Sequence, residues 1–158
     1  KQTEKTIVAD FNNAGVGNQK QILNVGAGQK PIPCAENIDI NPMNSTVKFG
    51  DANNLSQYSN GQFDHIISNS PYKYNPLESD MLRVLKPDGK MTVTGNMNNK
   101  YFKSVYNATP QQLEALWLKI EYKGGIQDIF LKYGGTQSNG SPINNLSSMS
   151  QITLVKTK

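Results

Sequence analysis

The sequence predicts an α/β domain built on an open, mostly parallel β-sheet, with reduced helices in its first half and an antiparallel hairpin at its C-terminal end. Short apolar runs such as residues 22–25 are separated by turn residues, a pattern typical of buried parallel strands. This first run ends abruptly in Gly26-Ala27-Gly28. Glycines at the end of such a strand let a ligand lie directly on the backbone.

The length and composition limit the kind of protein. The 158 residues suffice for one domain with its own core, and we assign all of them to it, with residues 1–20 as an N-terminal extension. No stretch approaches the roughly 20 apolar residues of a membrane span, and no secretory signal pattern is visible. The single Cys34 and the single His65 exclude an internal disulfide and argue against a metal centre.

The charge distribution leaves two interpretations open. The net charge is +4 and the pI is near 9.1, which is moderate for a protein that binds nucleic acid. Residues 89–113 carry Lys90, Lys100 and Lys103 and no acidic residue. These lysines indicate either an ordinary solvated surface or a basic rim that faces the substrate.

The first half of the chain is predicted to contain four strands. Residues 4–14 have apolar side chains close to helical spacing and predict a short helix, although they could equally begin a strand. The strands follow at about 21–25, 36–40, 46–49 and 63–68. They are bounded by turn signals, of which the dipeptide after the second strand is Asn-Pro.

The connection between the first two strands is unusually short. Only seven residues separate Gly28 from Glu36, and Pro31 and Pro33 are among them. Because a parallel crossover normally needs a dozen or more residues, the helices of this half are predicted to be lost or reduced to single turns. Residues 1–20 or another partner must then cover the exposed face of the sheet.

The second half predicts three helices. Asn75-Pro76 with Glu78 gives an N-cap, a proline at N1 and an acid at N3, and the helix should end at Pro87-Asp88-Gly89. A fifth strand at 91–94 precedes helices over 98–106 and 109–119. The residues predicted to face inward in these helices are Leu77, Met81, Leu82, Leu85, Tyr101, Phe102, Val105, Leu113, Leu116 and Trp117.

The C-terminal part predicts a hairpin. Residues 127–132 and 151–156 alternate like paired strands. Between them, residues 136–150 form a long polar loop without a charged residue, and connections of this length are usually functional or disordered.

Acidic residues follow the second and third strands. Asp39, at the end of the second strand, lies where a carboxylate can accept both hydroxyls of a ribose, as in NAD-binding folds. Alternatively it begins an Asx-turn with Asn41. A dinucleotide site is excluded, because the third glycine of the phosphate-binding fingerprint is replaced by Pro31 and no helix follows.

Five segments in this order resemble a class I S-adenosylmethionine (SAM)-dependent methyltransferase. They are residues 22–31 with Gly26-Ala27-Gly28, residues 37–40, residues 50–52, residues 63–72, and residues 82–90 with the Arg-Val-Leu-Lys-Pro-Asp-Gly run. The last is the most specific, and the resemblance covers roughly residues 20–106. It implies a minimal Rossmann-like sheet that binds SAM as cofactor.

The resemblance also implies the residues that hold SAM. Asp51 and the backbone amide of Ala52 would contact the adenine, although Gly50-Asp51-Ala52 is also ordinary turn chemistry. The implied cofactor-binding set is Gly26, Ala27, Gly28, Asp39, Ile40, Asp51, Ala52 and Asn69.

The segment Asn69-Ser70-Pro71-Tyr72 is similar to the Asn/Asp-Pro-Pro-Tyr motif of amino-methyltransferases, with serine at the first proline. The resemblance implies that Asn69, Pro71 and Tyr72 are catalytic. The Asn69 side chain and a backbone carbonyl near Ser70 would accept hydrogen bonds from an amine, and Tyr72 would stack on a base. The alternative is a plain strand-to-loop turn. His65 is predicted to be a packed histidine.

The chain also resembles methyltransferase domains at the C-termini of bacterial polymorphic toxins. It implies release from a longer secreted or surface protein, action in the bacterial cytoplasm and a cognate immunity protein as partner. The expected substrate is a base nitrogen in nucleic acid, with tRNA or other RNA favoured. A small-molecule methyltransferase and a non-catalytic SAM-fold module remain alternatives.

Overall fold

The computed structural model describes residues 21–28, 31–32, 35–130 and 148–158. These residues form a seven-stranded sheet with short helices packed on it. The strands are β1 (Ile22–Val25), β2 (Glu36–Asp39), β3 (Lys48–Phe49), β4 (Phe63–Asn69), β5 (Leu85–Asn96), β6 (Leu118–Gly125) and β7 (Met149–Lys156).

The strand order is β3-β2-β1-β4-β5-β7-β6. The first five strands pair in parallel, whereas β7 is antiparallel to both β5 and β6. The mostly parallel sheet with a C-terminal antiparallel hairpin is therefore confirmed. The order reverses between β1 and β4, and ligands of open parallel sheets bind outside the carboxyl ends of the strands at such a point.

The helices all lie in the second half of the described chain. They are a 3-10 helix (Pro76–Glu78), α1 (Met81–Val84), α2 (Lys100–Tyr106) and α3 (Pro110–Ala115), and residues 128–130 are also helical. Asn75 accepts a hydrogen bond from the Leu77 backbone at the first of them, and Thr109 forms a capping box with Gln112 at α3. Between β1 and β4 the described residues contain no helix, as the short connections predict.

The two faces of the sheet carry different cores. The larger core packs apolar strand residues, such as Leu23 and Ile66, against Met81, Phe102 and Leu113 from the helices. The smaller core, on the other face, contains Ile22, Ile32, Ile67 and Phe130. All four are buried, so this part of the predicted exposed face is covered. The predicted helix over 4–14 and most of the loop 136–150 lie outside the described residues.

The predicted partner of the C-terminal strand was wrong. β7 pairs with β6, and residues 128–130, which were predicted to belong to the partner strand, are helical. The predicted helix over 109–119 ends early because Trp117 adopts a left-handed φ of 60°, which a helix cannot continue through. Leu118 is then buried while Trp117 is 53% exposed, under Lys158.

Several smaller predictions also need correction. Leu85 to Gly89 belong to β5 rather than to a helix end, because Leu85 pairs with Phe63 of β4. β3 contains two residues instead of four. Leu116 is exposed rather than buried, and Tyr101 is only half-buried; α3 is so short that Leu113 alone reaches the core.

A buried asparagine fastens the short connection between β1 and β2. The Asn37 side chain accepts a hydrogen bond from Asn24 Nδ2 at 3.0 Å and from the Ile32 backbone N–H at 2.9 Å. Its amide donates to the carbonyls of Ile32 and Ala35 at 2.9 and 3.0 Å. Three of these four bonds satisfy backbone groups of the short connection, and the fourth joins it to the Asn24 side chain on β1.

We expect Asn37→Ala to lower the free energy of unfolding by about 3 kcal/mol or more, because several buried polar groups lose their partner at once. Urea unfolding measures this change. Asn53→Ala, at an exposed position, is the matched control and should change stability by less than about 0.5 kcal/mol. Equal stability of the two variants would contradict this role of Asn37.

Candidate active site

Four strand ends bring the predicted site residues together. β1 to β4 run in parallel, so the residues that follow them lie along one edge of the sheet. The glycine loop follows β1, Asp39 ends β2, Asp51 follows β3, and Asn69 ends β4. The structure thus places the predicted cofactor and catalytic residues along the carboxyl edge, around the point where the strand order reverses.

The glycine loop is fixed by backbone hydrogen bonds to β2. The N–H groups of Gly26 and Ala27 both donate to the Ile38 carbonyl, at 2.9 and 3.0 Å. Gly26 and Gly28 have φ angles of 74° and 61°, a region that residues with a Cβ rarely adopt. A Cβ on Gly26 would have no neighbour within 4 Å. The backbone conformation, and not crowding, therefore requires glycine there.

Asp39 joins the glycine loop to the end of β2. Its Oδ2 accepts a hydrogen bond from the Gly28 N–H at 2.9 Å, and its Oδ1 accepts one from the Asn41 N–H at 2.9 Å. The Asx-turn considered as an alternative is therefore present. Each carboxylate oxygen keeps acceptor capacity, so the turn and a ribose contact are compatible. Ile40, the next residue, is 57% exposed and offers an apolar surface.

Asp51 and Ala52 form the turn after β3. Asp51 Oδ1 accepts a hydrogen bond from the Asn53 N–H at 2.9 Å, so turn chemistry is present here too. Ala52 is buried, and its carbonyl accepts a bond from the Asp80 N–H at 2.9 Å. The turn is thereby tied to the segment that precedes α1.

An ion pair behind this turn was not predicted from the sequence. Arg83 contacts Asp80 through Nε and Nη2, both at 2.9 Å, and its guanidinium also donates to the carbonyls of Leu55 and Tyr58. The hydrogen bond from Arg83 lowers the pKa of Asp80. The arginine of the 83–89 segment thus holds the loop after Asp51 in place. Because Arg83 is far from that loop in the sequence, no local pattern predicted this contact.

The loop after β4 is held by two neighbouring elements. The Thr94 hydroxyl of β5 donates to Asn69 Oδ1 at 2.6 Å, and the Ser70 N–H donates to the Thr94 carbonyl at 2.7 Å. Asn99, the N-cap of α2, donates from Nδ2 to the Pro71 carbonyl at 2.8 Å. Ser70 has a φ of 53°. A strained residue held by several contacts is typical of functional loops.

Two tyrosines follow Asn69 in different environments. Tyr72 is 69% exposed. Tyr74 forms a hydrogen bond with the Ser68 hydroxyl, and burial, with a smaller effect of the Asp39 charge, raises the pKa of its phenol above the usual range. Tyr74 therefore stays protonated near the carboxyl edge of the sheet, and no sequence motif had indicated it.

His65 is a packed histidine, as predicted. It is completely buried, and its Nε2 lies 2.8 Å from the Thr92 hydroxyl. Burial lowers its pKa to about 3, so the ring is neutral at pH 7. It belongs to the interior of the sheet and not to the carboxyl edge.

The residues that the structure describes contain neither a group of metal ligands nor a membrane-spanning helix. In that part of the chain, no three histidine, cysteine or acidic side chains come together as metal ligands. None of its helices is long and apolar enough to cross a membrane.

Comparisons with known proteins identify the fold. No family model and no curated protein matches the chain. A SAM-dependent methyltransferase from Methanosarcina mazei is 15% identical, with 92% of this chain and 96% of that chain covered and a TM-score of 0.54. A TehB-like SAM-dependent methyltransferase from Corynebacterium glutamicum is 15% identical, with 96% and 88% covered and a TM-score of 0.52.

A third similar structure is the protein in complex with the Trm112 methyltransferase activator of Haloferax volcanii. It is 12% identical, covers 96% of this chain and 91% of its own, and has a TM-score of 0.55. The chain therefore has the fold of the class I SAM-dependent methyltransferases, as the sequence resemblance implied.

Proposed function

We propose that this chain is a SAM-dependent methyltransferase that methylates a base nitrogen in nucleic acid, with RNA favoured. The observation that carries the proposal is the convergence of the glycine loop, Asp39 and Asn69 at one edge of a methyltransferase-like sheet. The whole chain, residues 1–158, is assigned to this one catalytic domain.

The residues present fit SAM better than a dinucleotide. Gly26 and Gly28 leave the backbone open to a ligand, and Asp39 keeps acceptor capacity for ribose hydroxyls. Neither residues 26–28 nor residues 31–32 and 35 begin a helix that could hold a pyrophosphate. The residues proposed to bind SAM are Gly26, Ala27, Gly28, Asp39, Ile40, Asp51, Ala52 and Asn69.

SAM would supply a methyl group on a positively charged sulfur, so the protein has only to position and polarise the acceptor. An exocyclic amine on a base is a poor nucleophile because its lone pair is delocalised. We assign Asn69 Oδ1 and the Ser70 carbonyl as acceptors for its N–H groups, which favours the positive charge that develops on nitrogen. Pro71 shapes this loop, and the exposed Tyr72 stacks on the base.

SAM binding by the purified protein tests the proposal. Calorimetry should show saturable binding, and Asp39→Ala should weaken it by about 1–3 kcal/mol, the range for hydrogen bonds to a charged group. Glu114→Ala, exposed on α3, should leave the affinity unchanged. Tighter binding of NAD than of SAM would overturn the proposal. If Asp39→Ala binds SAM as tightly as the wild type does, Asp39 does not contact the ribose.

We further propose that the chain acts in the bacterial cytoplasm as the released C-terminal domain of a toxin, neutralised by an immunity protein. The resemblance to toxin methyltransferase domains supports this role. The exposed apolar residues Ile40, Met43 and Phe49 near the β2–β3 edge offer a surface for such a partner. Expression of the chain should slow bacterial growth, and Asn69→Ala should relieve the effect. Unimpaired growth with folded, SAM-binding protein would contradict the toxin role alone.

A further inference from the structure

The side chains of Tyr72 and Tyr101 are in contact at the carboxyl edge of the sheet, in the region of Asn69. The rings of Tyr72 and Tyr101 meet edge to face, with centroids 6.2 Å apart and an interplanar angle of 82°. Tyr72 follows β4 and is largely exposed, whereas Tyr101 lies in the first turn of α2 and is half-buried. The pair therefore presents flat apolar ring surface to a ligand at the mouth of the candidate site.

A lysine ammonium group lies over each of these rings. Lys73 Nζ lies 5.3 Å from the centroid of the Tyr72 ring, and Lys100 Nζ lies 5.2 Å from that of Tyr101. Residues 69–77 and 96–113 contain no acidic residue. Neither lysine forms an ion pair with a residue in the described ranges. Both charges thus remain available to an anionic partner.

One asparagine fixes the spacing of the two rings. Asn99 donates from Nδ2 to the Pro71 carbonyl, next to Tyr72. Its Oδ1 accepts hydrogen bonds from the N–H groups of Tyr101 and Phe102, at 2.9 and 3.1 Å. The loop that carries Tyr72 and the helix that carries Tyr101 are therefore joined through a single side chain, which preorganises the pair before a ligand binds.

We infer that Tyr72, Lys73, Lys100 and Tyr101 form a platform for unpaired nucleotides, in which Tyr101 stacks on the nucleotide that flanks the target base. This inference rests on the proposed function, in which the target base lies against Tyr72. Aromatic rings interleaved with cations are how proteins hold single strands, since rings stack on bases and lysines neutralise phosphates. A duplex keeps its bases stacked on one another and cannot offer them to these rings.

Binding of labelled oligonucleotides tests this platform without catalysis. Fluorescence anisotropy is measured with a single-stranded RNA, a single-stranded DNA of the same sequence and the corresponding RNA duplex. Tyr101→Leu should raise the Kd for the single strands about tenfold, and Tyr101→Phe, which keeps the stacking ring, should bind like the wild type. Lys100→Gln should reduce the slope of log K against log salt by about one. Lys119→Gln, exposed on β6, should leave both quantities unchanged.

The results separate this inference from the proposed function. Tighter binding of RNA than DNA assigns the platform to RNA, and equal binding of both single strands supports a platform that ignores the sugar. An unchanged Kd in Tyr101→Leu together with an unchanged salt slope in Lys100→Gln would overturn the inference, as would equally tight binding of the duplex. If single strands bind through Tyr101 but no methyl group reaches any nucleic acid, the proposed function fails and the platform stands.

Discussion

Asn69→Ala is expected to lower kcat for methyl transfer to RNA about 10²- to 10³-fold, the range for losing one hydrogen-bonding group that acts mainly in the transition state. The reason is that Asn69 Oδ1 is proposed to accept from the reacting amine as positive charge develops on its nitrogen. Its contact with the Thr94 hydroxyl holds it in place beforehand. Transfer of a labelled methyl group from SAM to RNA under single-turnover conditions measures this step.

Two further variants control for the geometry of the site. Asn69→Asp keeps an acceptor oxygen and should retain more activity than Asn69→Ala. Thr94→Val removes the hydroxyl that holds Asn69 while keeping the shape of a buried side chain, so it should lower kcat to a smaller extent and leave KM nearly unchanged. Because Asn69 also belongs to the proposed SAM site, SAM affinity is measured for each variant, and the kcat values are compared at saturating SAM. If Asn69→Ala transfers the methyl group to RNA as fast as the wild type does, Asn69 has no role in catalysis.

Local signals in the sequence were enough to predict the parallel half of the sheet. Apolar runs and turn residues mark β1, β2 and β4, and the cap before Pro76 was identified because such signals involve neighbouring residues. β6 was missed because its burial pattern is mostly exposed and its first residues continue a helical pattern. The left-handed Trp117 that separates the two elements has no local signature, since tryptophan rarely adopts this conformation.

In the candidate site, too, the features with local sequence signals were predicted and the contacts between residues distant in sequence were not. The glycines and Asp39 were found because they follow strands and have a recognisable chemistry. Thr94 and Asn99, which hold the loop after β4, were missed, since each lies about 25 residues or more from its partner in the sequence. Contacts of this kind depend on which strands become neighbours, and local sequence patterns alone do not determine that choice.

The stability of the protein is expected to depend strongly on pH below about 6.5 because of the buried His65. His65 should make the protein lose stability as the pH falls from about 6.5 towards 3, with a slope that approaches about 1.4 kcal/mol per pH unit. Burial, with a smaller contribution from the Lys90 charge, lowers its folded pKa to about 3. The folded ring therefore stays neutral while the unfolded chain takes up a proton near pH 6.5. The stability that depends on the neutral ring is fully present above the pKa of the unfolded chain, about 6.5. It is lost as the pH falls towards and through the folded pKa of about 3.

Urea unfolding at a series of pH values measures this slope, and His65→Gln is the comparison, because glutamine can still contact the Thr92 hydroxyl but does not titrate. His65 is the one histidine of the sequence, so no other side chain has an ordinary pKa near 6.5. Carboxylates contribute equally to both proteins at lower pH and cancel in the difference. NMR titration of the imidazole provides a check that does not depend on the stability of the variant. A ring that protonates near pH 6.5 in the folded protein, or equal slopes in the two proteins, would show that the buried neutral histidine is not the source of the acid sensitivity.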